Sequence, residues 1–400
     1  MKYIIILGDG MADLHRGPLG NATPLELAKK PNIDAIAASG AVGLISTVDK
    51  GLKPGSDVAN LSVIGYDPKV CYTGRSPLEA LSIGVNVGEN DACLRTNLVT
   101  LSDADAFEDR IMVDYSAGEI STEEAKQIID AVNEFASNGI IEFHAGVSYR
   151  HCALLHGSKD LAVEFTPPHD ISGKKIGEYL PKGDGADVFI ELIKKSLEVL
   201  KNHPVNVKRR EEGKREASAV WFWGKGTRPD LESFEKKYGL KGAMISATDL
   251  LRGIAVGVGM DVIDVPGATG TLSTNFTGKA EACVEAAKTH DYVYVHFEAP
   301  DECGHQGDAQ GKIKSIEKID EVVGYVKEKM DESGEEYCLA VLPDHFTPLA
   351  TRTHLGEPVP FVVYNSARPA HSGLKYTERD GEKGIYLSNG RALIQYMMKC

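Results

Sequence analysis

The sequence predicts an α/β fold, with a mainly parallel sheet flanked by helices and a smaller α+β domain inserted into it. Three observations predict it. Short apolar strands alternate with helical patterns at both ends of the chain, the grammar of a parallel sheet. The middle of the chain departs from that grammar. The two terminal segments carry complementary acidic and imidazole residues, so they are expected to form one discontinuous domain, 1–89 with 216–400, around an insert spanning 90–215. Four hundred residues also exceed the usual single core.

Taken in order, Tyr3–Leu7 reads as the first strand, Asn32–Ser39 as a helix closed by Gly40, and Val42–Ser46 as the second strand. Ser76–Leu81 is helix-like, and the insert opens near Asp91 with a strand over Leu98–Leu101. Ser121-Thr-Glu-Glu124 forms a capping box, followed at helical spacing by Ala125, Ile128, Ile129, Val132, Phe135 and Ala136. Strands follow at Ile140–Phe143 and His151–Leu155, with a helix over Val188–Lys201. The charged run from Asn206 to Glu216 reads as a solvated linker. Beyond it, strands at Ser218–Trp223, Ala243–Ser246, Asp261–Asp264, Tyr292–Phe297, Tyr337–Leu342 and Phe361–Tyr364 resume the α/β pattern. Between the last motifs, Ile313, Ile316, Val323, Val326 and Met330 mark one face of a helix.

Fifty-eight acidic against 44 basic side chains leave a net charge of −14, which argues against a broad nucleic-acid surface. An anionic substrate then needs a local basic pocket. Seven scattered cysteines without CxxC spacing indicate neither a disulfide framework nor a thiolate metal site. With no signal pattern and no apolar run near membrane length, the expectation is a cytoplasmic protein without a membrane partner. Monomer and homo-oligomer are both compatible with the sequence.

The chemistry concentrates in Asp301-Glu-Cys-Gly-His305, Asp344-His345 and His354, each just after a strand or its following turn. Functional groups in open α/β sheets gather beyond the carboxyl ends of the strands. Hard oxygen and borderline nitrogen donors at these spacings suit a pair of divalent ions. His305 stands four residues after Asp301, so a helical turn puts both on one face. Asp9 closes the first strand, although an aspartate there is also a common turn former. Ser56 lies in Pro54-Gly-Ser-Asp57, where spacing alone favours an ordinary helix N-cap over a nucleophile.

Leu7-Gly-Asp-Gly-Met-Ala-Asp13, Pro54–Ser62 with Gly65-Tyr-Asp-Pro68, Thr73–Glu79, Asp301–His305 and Pro343-Asp-His345 together resemble the cofactor-independent phosphoglycerate mutases of the archaeal type, members of the alkaline phosphatase superfamily. The resemblance covers nearly the whole chain, with the motifs in the family's order. It implies an alkaline-phosphatase-like domain and a phosphoserine at Ser56. It also implies two divalent ions, one held by Asp301, His305 and His354, the other surrounded by Asp9, Ser56, Asp344 and His345. Manganese is the ion implied, with magnesium, zinc or cobalt as substitutes and no bisphosphoglycerate. The partner implied is a small phosphorylated substrate. Arg95, Arg150, Lys225 and Arg228 are its implied contacts, against plain surface solvation, and Asp114 and Arg252 its implied catalytic helpers, Asp114 as a proton-handling group.

One departure bears on the substrate. Where the family tends to read Asp-Arg-Arg-Ala-Gly-Arg-Ile, this chain has Asp114-Tyr-Ser-Ala-Gly-Glu-Ile120, which is closer to a subgroup proposed to act as homoserine kinases. A mutase therefore stands beside a kinase phosphorylating homoserine from ATP, a metal-dependent phosphatase and a non-catalytic binding module. No P-loop supports the kinase: Gly224-Lys-Gly-Thr227 lacks the upstream glycine and the Ser or Thr after Lys.

Overall fold

The computed structural model describes residues 1–136 and 139–400. Its strands, in chain order, are β1 (Lys2–Gly8), β2 (Ala41–Ile45), β3 (Ala92–Leu101), β4 (Met112–Asp114), β5 (Ile141–His144), β6 (Arg150–Leu155), β7 (Ala219–Thr227), β8 (Gly242–Ile245), β9 (Asp261–Val262), β10 (Tyr292–Phe297), β11 (Tyr337–Leu342), β12 (Val359–Asn365) and β13 (Ile385–Leu387). They divide between two compact units, Met1–Tyr72 with Asp230–Cys400, and Thr73–Pro229.

The first unit is built on an eight-stranded sheet of order β13-β2-β12-β11-β1-β10-β8-β9. Only β12 runs against its neighbours; every other pairing is parallel. The central strands are buried along their whole length, which is why β10 and β11 read as continuous apolar runs rather than as alternations. Ile4 and Ile6 of β1, Val293 and Val295 of β10, and Leu339 and Val341 of β11 share one core with the helices Pro31–Ser39, Phe276–Ala287 and Ala309–Ser333. The long helix contributes Ile316, Val323, Val326 and Met330 of the expected stripe, together with Ile319, while Ile313 is partly buried against that core. On the opposite face the helix Ser56–Ile64 is tied down by Tyr294, whose hydroxyl donates to Asn60 Oδ1 at 2.6 Å. Among the described residues no helix is long and apolar enough to cross a membrane.

The second unit is an antiparallel sheet, β4-β3-β6-β5, with β7 on the other side of β3. Its core lies against the helices Thr122–Ala136 and Ala186–Leu200. The expected insert bounds of 90 and 215 are too narrow. β7 pairs with β3 from Ala219 to Thr227, and Ser76 of the helix Arg75–Ser82 donates to the carbonyl of Gly224, so both flanking segments fold with the insert.

The expected linker at Asn206–Glu216 is a second correction. Pro204–Glu211 is a helix started by proline at its first turn, and its inner side chains are buried. Asn206 bonds the carbonyls of Leu200 and Ala217 at 2.9 Å each. Arg209, 3% exposed, pairs with Glu124 at 2.7 Å and donates to the carbonyls of Ala117 and Arg215. The charge run hid a buried cation because only its partners, distant in sequence, distinguish it from a solvated one. Removing one member of a buried, bonded pair costs about 3–5 kcal/mol. Arg209→Ala is expected to lower the stability of this unit by about 3 kcal/mol, while exposed Lys208→Ala changes it by under about 0.5. Urea unfolding followed by tryptophan fluorescence checks this, since Trp221 and Trp223 both belong to this unit.

Candidate metal centre and nucleophile

In the first unit Asp9 follows β1 and Asp344 follows β11, both central strands running in the same direction. After β10 the chain turns into the helix Ala299–Gln306, which carries Asp301 in its first turn and His305 in its last. His354 arrives on the loop after β11 and Ser56 on the first turn of the helix Ser56–Ile64. All seven residues expected at the metal centre therefore come together at one end of the sheet.

They form two adjacent groups. Asp301, His305 and His354 each offer a ligand atom within 4.8 Å of the others, as do Asp9, Asp344 and His345. In the first group His305 Nε2 lies 2.9 Å from His354 Nε2 and 3.2 Å from Asp301 Oδ2. In the second, His345 Nε2 is 3.5 Å from Asp9 Oδ1 and 3.4 Å from Asp344 Oδ2. The rings of His345 and His354 stack with centroids 3.9 Å apart, which joins the two groups.

The electrostatics call for cations. Asp9, Asp301 and Asp344 are all buried, and Asp9 Oδ1 has no hydrogen-bond partner. Burial first, then the charges of Asp344, Asp301 and Glu298, push the Asp9 carboxyl well above the usual carboxylate range. At Asp301 burial acts upward too, but the bonds with His305 and His354 outweigh it and hold that carboxyl well below its ordinary range. The Asp301 bond is likewise the main reason that His305 rises to about 9. Burial lowers His345, keeping its imidazole neutral and available as a ligand. An imidazole and carboxylate set with one orphaned buried oxygen fits two divalent ions.

Ser56 stands beside the second group, its Oγ 3.1 Å from His345 Nε2 and 3.4 Å from Asp9 Oδ2. The N-cap alternative is excluded, because Gly55 holds that position and no side chain caps the helix. Its hydroxyl is thus directed to the acidic centre, at the positive end of a nine-residue helix.

Three supporting residues were not singled out from the sequence. His296, 1% exposed, places Nε2 2.9 Å from Asp9 Oδ2 and Nδ1 3.2 Å from Ser246 Oγ. Asn60 donates to Asp344 Oδ2 at 2.9 Å and to the Ser56 carbonyl at 2.8 Å. Thr347 donates to Asp301 and lies 3.2 Å from His345 Nδ1. A signal existed for two of them. Asn60 is four residues after Ser56 on one helix, and His296 is the lone imidazole in the largely apolar strand β10.

Several of the other expected residues have partners of their own. Arg252, in the first unit, pairs with Asp264 at 2.6 Å. Arg95, Asp114, Arg150, Lys225 and Arg228 belong to the second unit. There Glu79 bridges Arg95 and Arg75 at 2.8 and 2.7 Å, and the Arg95 guanidinium lies 3.9 Å from the centre of the Trp223 ring. Arg150 is exposed and leans over Tyr149, and the Lys225 ammonium donates to the carbonyl of Leu161.

Asp114 does not have the surroundings of a proton carrier. It accepts from Arg215 at 2.6 Å, from the Ser116 amide and hydroxyl, and from the Gly118 amide. Burial works against ionisation here, but these donors prevail and hold the carboxyl below its usual range. Asp114 is a locked anion that braces the loop after β4. The cations missing from that loop's own sequence are supplied by Arg215 and Arg209, reaching in from elsewhere in the unit.

The family model described as 2,3-bisphosphoglycerate-independent phosphoglycerate mutase matches residues 37–206, and that of type I phosphodiesterase / nucleotide pyrophosphatase matches residues 179–356. The chain is 48% identical to a probable 2,3-bisphosphoglycerate-independent phosphoglycerate mutase of Geobacter sulfurreducens, over the full length of both. It is 47% identical to a 2,3-bisphosphoglycerate-independent phosphoglycerate mutase of Methanosarcina mazei, over 96% of this chain and 95% of that one. Among solved structures, a cofactor-independent phosphoglycerate mutase from Thermoplasma acidophilum superposes with a TM-score of 0.68 at 26% identity, covering 100% of this chain and 99% of its own.

The ligand groups carry a direct expectation. Restoring a divalent ion to chelator-treated protein at about 100 times its dissociation constant stabilises the fold by about 2.7 kcal/mol. The melting midpoint is expected to rise by several degrees. In His305→Ala and Asp9→Asn that rise should shrink by at least half, as differential scanning fluorimetry will read.

Proposed function

Since the chain belongs to the 2,3-bisphosphoglycerate-independent phosphoglycerate mutase family, we propose that it interconverts 3- and 2-phosphoglycerate by passing the phosphoryl group through Ser56. One observation carries the reading: the Ser56 hydroxyl stands within hydrogen-bond reach of His345 and Asp9, two members of one of the two sets of metal-type ligands. The reaction is an isomerisation and consumes no bisphosphoglycerate.

A serine hydroxyl is a poor nucleophile until its proton affinity falls. Divalent ions in the two ligand groups supply that activation and offset charge on the phosphoryl oxygens. We assign manganese to them, with magnesium, zinc or cobalt as substitutes. Asp301, His305 and His354 would hold one ion; Asp9, Asp344 and His345 would hold the other beside Ser56. The remaining work belongs to the chain. Asn60 bonds both Asp344 and the Ser56 carbonyl, and so keeps ligand and nucleophile in register. His296 orients Asp9 through its second oxygen. The N-terminal amides of the Ser56–Ile64 helix favour negative charge on phosphorylated Ser56.

In the first half-reaction Ser56 Oγ bonds to phosphorus as the bond to one glycerate oxygen breaks, leaving a hydroxyl there. In the second, the neighbouring glycerate hydroxyl attacks the same phosphorus and Ser56 is regenerated. For the carboxylate and phosphate of the substrate we keep Arg95, Arg150, Lys225 and Arg228 as proposed contacts, Arg150 foremost because its guanidinium is exposed. Nothing observed favours the homoserine kinase alternative.

Ser56→Ala is expected to lower turnover of 3-phosphoglycerate at least 10³-fold while keeping the ion-dependent rise in melting midpoint. A coupled enolase assay without bisphosphoglycerate measures the first, and ADP release from ATP with homoserine should stay at background. Turnover retained by Ser56→Ala would exclude the serine route.

A further inference from the structure

The second unit carries a cleft of about 540 Å³ that the mutase reaction leaves without a role. It opens where β3 ends and β7 begins, beside the C-terminus of the helix Ala186–Leu200. Arg110, Lys201, Arg210, Lys214 and Arg215 line it against only Asp103 and Glu216. That is a local surplus of three positive charges in a chain of net charge −14. Such a concavity focuses field on an anion, and its size suits a small ligand.

Neighbouring acids neutralise these cations only in part. Asp103 is fully exposed and meets Arg110 only at 3.4 Å, while Glu216 is bound by Arg210 alone, at 2.7 Å. Lys201 makes no ion pair among the described residues; Lys214 pairs with Glu212 at 2.7 Å and Arg215 with Asp114 at 2.6 Å, yet both side chains are more than half exposed. Three guanidinium groups beside two ammonium groups form a donor set matched to phosphate oxygens.

Arg215 connects the cleft to something that can move. It is the charged partner of Asp114, at 2.6 Å, although its own side chain is 57% exposed. The loop that Asp114 braces contains three successive residues at positive φ, Ala117 (49°), Gly118 (66°) and Glu119 (49°). For the two non-glycine residues that conformation is strained and persists only while its surroundings enforce it.

We propose that this cleft is a second anion site, taking a small phosphorylated metabolite, and that Arg215 relays its occupancy to the loop 114–119. An anion in the cleft competes with Asp114 for the Arg215 guanidinium. Asp114 then loses its charged brace, and the strained loop is freed.

Inorganic phosphate is the probe. Full-length, metal-loaded protein is acylated with an N-hydroxysuccinimide ester in phosphate or in chloride of equal ionic strength, and modified lysines are mapped by mass spectrometry. Phosphate is expected to slow labelling of Lys201 and Lys214 at least threefold and to leave exposed Lys126 unchanged. In Lys201→Glu, a surface substitution, the protection of Lys214 should disappear. Equal labelling in both salts, uniform slowing at all three lysines, or protection that survives Lys201→Glu would overturn the site. In the same buffers, deuterium uptake over 115–120 should rise at least twofold in phosphate; unchanged uptake would overturn the relay through Arg215.

Discussion

Like charges buried at the end of one sheet are the constraint on which the first unit depends. Asp9 and Asp344 bring oxygens within 4.8 Å of each other, and Asp301 faces them from the neighbouring helix. At an effective dielectric of 20, two unit charges at that distance repel by roughly 3–4 kcal/mol. Parallel strands β1 and β11 make the clash unavoidable, since each delivers its next carboxylate to the same edge. A structure that gathers such groups is complete only with cations between them, and in the proposed reaction the same cations would activate the neighbouring Ser56.

The surrounding contacts serve that arrangement. Thr347 links the two ligand groups by bonding Asp301 and His345 together, and Asn60 ties Asp344 to the helix that carries Ser56. Tyr294 in turn fixes Asn60 from the buried centre of β10. Ligands, nucleophile and core are therefore one network, in which a shift of the sheet would displace the serine. This is how a site stays preorganised when its parts come from both ends of a 400-residue chain.

Much of this was legible in the sequence, for physical reasons. Long apolar runs announced β1, β10 and β11, because strands buried on both faces cannot hide their composition. The Asp301 and His305 pair was readable because a helix fixes the direction of residues four apart. What escaped depended on partners distant in sequence. Arg209 looked solvated until Glu124 and two carbonyls closed on it, and β7 extended the inserted unit because it had β3 to pair with. Asp114 carried the right residue type for proton transfer, yet Arg215, 101 positions away, joins the local donors Ser116 and Gly118 and locks it as an anion. Spacing alone also favoured a helix cap for Ser56, and only the placement of Gly55 removed that reading.

The central claim is that phosphate passes through Ser56, and trapping it there is the most direct measurement. Metal-loaded protein mixed with 3-phosphoglycerate, quenched within the turnover time and digested, should yield phosphate on the peptide containing Ser56, and none when the ions are first chelated. Turnover with that peptide unmodified at every quench time, or phosphate found on another residue, would contradict the account.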